Sequence, residues 1–182
     1  PYADAPDSTG LVVDSLETIE RTAELALANG YQLNTHAIGD RANREILDLY
    51  ERVQRGHDGR ALSWRIEHAQ HLSAADIPRF GQLGVIASMQ GIHATSDGPY
   101  VRARLGEARV AEGGYVWQKL MTSGAIVSNG TDVPVERIDP MPNFHATVTR
   151  KLKDGSLFYP DQRMSREEAL KSYTWNAAYA AK

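Results

Sequence analysis

Asn34-Thr35-His36-Ala37-Ile38-Gly39-Asp40 closes one apolar run of the chain, and Arg65-Ile66-Glu67-His68-Ala69-Gln70 and Asn129-Gly130-Thr131-Asp132-Val133-Pro134 close two others. His68 follows His36 by 32 residues, and Asp132 follows His68 by 64. Those separations are one and two lengths of a strand-plus-helix unit, which needs roughly 30 residues. The chemistry therefore repeats with the architecture. Two imidazoles and a carboxylate at the C-terminal ends of parallel strands converge on one mouth of a (β/α) barrel, where such folds keep their active sites. A set of two His and one Asp so placed reads first as a metal site.

The flanking sequence supplies the units. Asp14 or Ser15 caps a helix carrying Leu16, Ile19, Ala23 and Leu27 on one face, and Gly30 follows at the left-handed position. Residues 31–36 form a strand, Asp40 caps a helix striped by Ile46, Leu47, Tyr50 and Val53 that ends near Gly56, and residues 63–69 form the second strand. Ser73 with Asp76 resembles a capping box before a short helix through Phe80 and Leu83, with Pro78 tolerated so near its start. Gly84 leads into a third strand over 85–89, and a helix with Tyr115, Trp117, Leu120 and Met121 precedes Gly124 and a fourth strand over 125–128. Helices over 143–151 and 165–180 complete the chain, the second opened by Ser165 and Glu168. Stretches 91–110 and 151–164 read as long loops, the first on the mouth that holds the motifs. Continuous apolar strands such as Val85-Ile86-Ala87 and Ala125-Ile126-Val127 suit a parallel sheet buried on both faces.

Composition narrows the functional classes. With 182 residues, 42% hydrophobic and 24% charged, the chain is an ordinary globular sequence long enough for one domain with a core. A formal charge of -3 with scattered Lys and Arg offers no field for phosphates, so nucleic acid is not an expected partner. No stretch approaches the roughly 18 apolar residues of a membrane span, and residues 1–10 lack the basic and apolar regions of a signal peptide. Cysteine is absent, which leaves His, Asp, Glu and Lys to hold any metal. A cytoplasmic location is the expectation these features favour.

Other residues have narrower roles. His93 and Asp97, in the polar stretch over the mouth, are placed for substrate contact. His71 reads as a helix-entry or supporting residue, His57 as part of a solvated turn, and His145 as a structural or surface residue of a helix. Glu67 precedes His68 in its strand and is expected to point toward the helices and meet an Arg. Trp64, Trp117 and Trp175 are expected to pack.

Thr35-His36-Ala37-Ile38-Gly39-Asp40-Arg41-Ala42-Asn43, Arg65-Ile66-Glu67-His68-Ala69-Gln70, Ser88-Met89-Gln90 with His93-Ala94-Thr95-Ser96-Asp97, Asn129-Gly130-Thr131-Asp132-Val133-Pro134-Val135-Glu136, and Tyr173-Thr174-Trp175-Asn176-Ala177-Ala178 together resemble consecutive blocks of the YtcJ-like branch of the amidohydrolase superfamily. The resemblance covers nearly the whole chain. It implies an α/β fold, a partial (β/α)8 TIM barrel of about four parallel βα units corresponding to strands five to eight, plus C-terminal helices. His36 matches the histidine ending strand five, His68 the one ending strand six, and Asp132 the aspartate ending strand eight. By resemblance these three bind a divalent metal, zinc first among the candidates, with one or two ions in full-length members. Asp132 is then the catalytic base that takes a proton from the attacking water and passes it to the leaving nitrogen. The implied reaction is hydrolysis of amide-like or N-acyl C–N bonds in small molecules; an ester or lactone would use the same site.

The chain also departs from that pattern. Members of the family are similar but much longer, with a His-x-His pair ending the first strand and an acidic or carboxylated-lysine ligand near the fourth. No His-x-His occurs in the 182 residues, and Gly91 stands where the family block usually has Pro, which predicts a looser turn. Pro1-Tyr2-Ala3-Asp4 resembles the segment just after strand four. The expectation is a single partial hydrolase domain over 1–182, the C-terminal half of a barrel without the N-terminal half and flanking β-sandwich. As such it is either a fragment of an active metal-dependent hydrolase or a catalytically inactive assembly module. Half a barrel presents strand edges near 31–36 and 125–128 and an uncovered apolar interior, so a homo-oligomer or edge pairing of half barrels is expected.

Overall fold

A computed structural model describes residues 1–181 of the chain. After helix α1 (Leu16–Ala28) come strand β1 (Asn34–Ala37), α2 (Asp40–Val53), the short α3 (Gly59–Leu62), β2 (Arg65–His68), α4 (Ile77–Leu83) and β3 (Ile86–Met89). There follow α5 (His93–Leu105), α6 (Glu107–Gly113), α7 (Trp117–Thr122), β4 (Val127–Asn129), α8 (Pro140–Thr149), α9 (Arg166–Tyr173) and α10 (Trp175–Ala180). The strands form one parallel sheet in the order β1-β2-β3-β4. Chain neighbours are sheet neighbours, with helices in every connection, as in four consecutive units of a (β/α) barrel.

Local chemistry accounts for most boundaries. The Ser15 hydroxyl accepts from the Thr18 N–H and starts α1, and Ser165 with Glu168 completes both halves of a capping box on α9. Asp76 does not close such a box. Its carboxylate instead accepts from Ser73 Oγ at 2.6 Å, Arg44 Nε at 2.9 Å and Arg79 Nη1 at 3.1 Å, tying α4 to α2. Asp40 is the first residue of α2 rather than its cap, and its carboxylate pairs with Arg109 at 2.8 Å.

The core lies between the outer face of the sheet and the helices. Ile46, Leu47, Leu49 and Tyr50 of α2 bury against Trp64 and Ile66. The Tyr50 hydroxyl donates to the Arg65 carbonyl at 3.1 Å and accepts from the Thr35 hydroxyl at 2.7 Å. Full burial of each such large apolar side chain contributes about 1.5–3 kcal/mol. α10 runs past the strand starts, where Asn176 Nδ2 donates to the Val127 carbonyl at 2.9 Å and Tyr179 donates to the Arg60 carbonyl at 2.9 Å.

Four expectations are corrected. The stretch 91–110 is mostly helical: α5 carries Pro99, glycine and several charges, so it shows no apolar stripe, yet it buries Ala94, Gly98 and Val101. The C-terminal helix breaks at Thr174 into α9 and α10. Trp64 and Trp117 are fully buried, but Trp175 is largely exposed. The inner face of the sheet is not apolar near the mouth. Thr35 meets Tyr50 on the helix side, and strand alternation therefore sends Asn34 and His36 inward. There Asn34 meets Glu67, which also accepts from Ser88.

Candidate metal centre

His36, one residue before the end of β1, lies on the inner face in register with Glu67 of β2. Ile66 is fully buried in the core, so alternation turns Glu67 inward, opposite to the helix-facing orientation expected, and among the described residues its hydrogen-bond partners are Asn34, Ser88 and Gln90 rather than an Arg. His68 would then face the helices. Instead it takes φ +78°, followed by Ala69 at +46°, and this left-handed turn swings its imidazole back to the mouth. Asp132, in the loop after β4, is also left-handed at φ +56°. Each such non-glycine residue costs about 1–2 kcal/mol of backbone strain, and strain of this kind concentrates at functional sites.

His93, the first residue of α5, completes the cluster. The ring of His68 lies edge-on to His36 at 4.5 Å between centroids and stacks on His93 at 5.9 Å. His93 Nε2 is 3.7 Å from Asp132 Oδ2. His68, His93 and Asp132 each offer one ligand atom, and the three atoms lie within 4.8 Å of one another. His36 stands beside that trio. A buried His93 Nε2 without a hydrogen-bond partner is a lone pair or donor awaiting one, and a nitrogen, nitrogen, oxygen set is a common three-ligand arrangement for a divalent transition metal with an open position. The residues present fit such an ion.

The electrostatics agree. Burial lowers the pKa of His36, and the neighbouring His68 lowers it further against the opposing pull of Asp132 and Glu67. Burial also lowers that of His93, against Asp97 and Asp132. Both rings are therefore neutral at pH 7, the form that coordinates a cation.

Residues that the motifs did not single out hold this geometry. Asn143 of α8 accepts the Ile92 N–H on Oδ1 at 2.6 Å and donates from Nδ2 to the Gly130 carbonyl. One side chain thus ties the turn before His93 to the loop before Asp132. Ser96 donates to Glu136 at 2.6 Å across the same gap. His68 Nδ1 lies 2.8 Å from Gln90 Oε1, and Gln90 Nε2 donates to Glu67 Oε1 at 2.7 Å. A helix residue such as Asn143 gives no periodic signal, whereas Gln90 and Glu67 stood inside the quoted blocks. The carboxylate of Asp97 is turned away from the trio, accepting from Gln70 at 3.1 Å and from the hydroxyls of Tyr115 and Tyr100. His71 packs its ring on Tyr115 at 5.1 Å, and His57 and His145 are exposed.

The chain is 38% identical over 181 residues to the protein LONG AFTER FAR-RED 3 of Arabidopsis thaliana, covering 99% of this chain and 31% of that protein. It is 31% identical to YtcJ of Bacillus subtilis (strain 168), covering 98% and 34%. A metal-dependent hydrolase of Pyrococcus horikoshii OT3, known as a crystal structure, superposes with a TM-score of 0.87 at 33% identity, covering all of this chain and 36% of that one. The chain thus spans about a third of the length of these relatives. Its fold is part of an amidohydrolase (β/α)8 barrel. The family model described as "Amidohydrolase family" matches residues 1–182, and the chain belongs to that family.

Proposed function

We propose that this chain carries the metal-holding mouth of a hydrolase that cleaves C–N bonds, amide-like or N-acyl, in small molecules. The observation that carries the reading is the convergence of His68 at the end of β2, His93 at the start of α5 and Asp132 in the loop after β4 to within 4.8 Å. These residues, with His36 alongside, would hold the divalent ion, and zinc fits the set because two neutral imidazoles and a carboxylate make a three-ligand site that keeps a position open. Such an ion supplies a water acidified toward about pH 7 and a Lewis acid for the scissile carbonyl.

The remaining steps belong to the protein. Asp132, only partly buried, takes the proton of the attacking water and delivers it to the leaving nitrogen, which must be protonated before it departs. His93, 3.7 Å from that carboxylate, limits where Asp132 can swing. Asn143 fixes the two loops relative to one another so that these groups face the same space. Because the chain covers a third of its relatives, the reading includes further barrel units in the active protein.

A panel of N-acyl amides and matched esters, assayed with zinc-loaded protein, tests the reaction class. Faster turnover of the amides, abolished by Asp132→Asn, is the expected result. Hydrolysis confined to esters would replace the C–N assignment with an esterase or lactonase. Zinc-loaded protein inert toward both would favour the inactive-scaffold reading.

A further inference from the structure

The geometry points to Glu67 as a positioning residue that sets the tautomer of His68 through Gln90. The inference rests on His68 as a metal-holding residue and adds what makes it one.

A carboxylate accepts hydrogen bonds and cannot donate them. Gln90 therefore turns its amide nitrogen to Glu67 Oε1, at 2.7 Å. Its carbonyl oxygen is then the atom facing His68 Nδ1, at 2.8 Å, and it too can only accept. The proton must be on Nδ1, which leaves the Nε2 lone pair free. In a neutral imidazole, the hydrogen bond at one nitrogen decides what the other can do. A carboxylate behind an intermediary amide thus holds the ring in its ligand form.

Glu67 is itself fixed for this task. Ser88 Oγ donates to Oε1 at 3.1 Å and Asn34 Nδ2 donates to Oε2 at 3.0 Å, so neighbours on β3 and β1 clamp the carboxylate from both sides. The arrangement closes only because His68 is left-handed. Adjacent residues of a regular strand point to opposite faces, but φ +78° at His68 brings it to the same mouth as Glu67. The relay leaves β2 at Glu67, crosses to Gln90 after β3 and returns to β2 at His68. This gives the strained turn a purpose, since metal-ligating histidines depend on such outer partners for ring orientation and basicity.

The test is a two-bond proton–nitrogen correlation spectrum of the 182-residue chain with nitrogen-15 histidine. It is recorded metal-free with a chelator at about pH 8, where histidine is neutral. Loss of signals in His68→Ala identifies that ring. The expected result is a single tautomer protonated on Nδ1 in the unaltered chain. Glu67→Ala and Gln90→Leu should each give mixed or Nε2-protonated His68, with Co2+ affinity lowered roughly 10- to 100-fold. The unaltered chain decides the matter even if a variant does not fold: a His68 proton on Nε2 overturns the inference. So does a folded Glu67→Ala chain whose His68 stays wholly Nδ1-protonated. If the tautomer responds as expected while no chain binds Co2+, the relay stands and the metal-holding reading of the site falls.

Discussion

His93 Nε2 and Asp132 Oδ2 are 3.7 Å apart, too far for a hydrogen bond and close enough to share one ligand. The two residues come from different βα units, and the His93 nitrogen is buried with no hydrogen-bond partner among the described residues. An unpaired buried polar atom costs about 1–3 kcal/mol. A cation between them would satisfy both, and the flanking His68 would complete its coordination.

Asn143 is the first place to perturb that relationship without touching a ligand. Asn143→Ala removes the bonds to Ile92 N and the Gly130 carbonyl, leaving two backbone groups unpaired. The variant should lose about 2 kcal/mol in urea denaturation, and its zinc affinity should fall although every proposed ligand remains. Full-strength zinc binding would show that the two loops do not need this tie.

The pH dependence of stability should carry the mark of His71. Burial lowers its pKa from 6.5 to about 4, against the pull of Asp97 and Asp40. The unfolded chain therefore binds a proton at higher pH than the folded one, so this contribution is fully present above about pH 6.5 and is lost as pH falls toward 4. The loss reaches about 3 kcal/mol. Denaturation midpoints of the parent chain and His71→Gln, compared at pH 7 and 4.5, should diverge less at the lower pH or reverse in order. Parallel curves would remove His71 as the cause.

Much of this was legible in the sequence, and the exceptions have physical reasons. The spacing of apolar runs carries the repeating unit length, and it places His36 and His68 near the ends of β1 and β2 and Asp132 just past β4. Strict alternation predicts the helix side for Glu67 and fails because the left-handed backbone of His68 is chosen by tertiary contacts and not by its residue type. α5 was hidden because Gly98 and Pro99 argue against a helix, although Gly98 permits close approach: a Cβ there would lie 2.7 Å from Leu152 Cδ2. Gly91 suggested a loose turn, yet it is buried and a Cβ would lie 1.8 Å from Thr147 Oγ1. Its small size lets α8 pack against the turn.

Arg150 presents a different kind of strain. It is fully buried and has no ion pair among the described residues. Its guanidinium donates to the Phe158 carbonyl at 2.6 Å and the Tyr115 carbonyl at 2.9 Å and stacks 4.4 Å over Trp117. Burial pulls its pKa down to about 9. Arg150→Ala should cost about 3–5 kcal/mol by urea denaturation, since it leaves both a cavity and two unpaired carbonyls. A loss under about 1 kcal/mol would mean that the stack and both bonds are energetically idle.

The outer edge of β1 is the most exposed part of the sheet. Tyr31 and Ile38 flank it in the open, and no described strand pairs with it. Open parallel edges recruit partners. Light scattering of the 182-residue chain is expected to report a mass above the 20.1 kDa of one copy. A monodisperse single-copy species would contradict edge pairing.

Zinc titration by calorimetry decides whether His68, His93 and Asp132 together hold a divalent ion. The unaltered chain should bind close to one equivalent, and His68→Ala, His93→Ala and Asp132→Ala should each weaken binding by more than the roughly 10- to 100-fold that loss of an outer partner costs. Stoichiometric binding that survives His93→Ala unchanged would exclude His93 from the centre, and an unaltered chain that takes up no zinc would mean that these three residues do not form a metal centre.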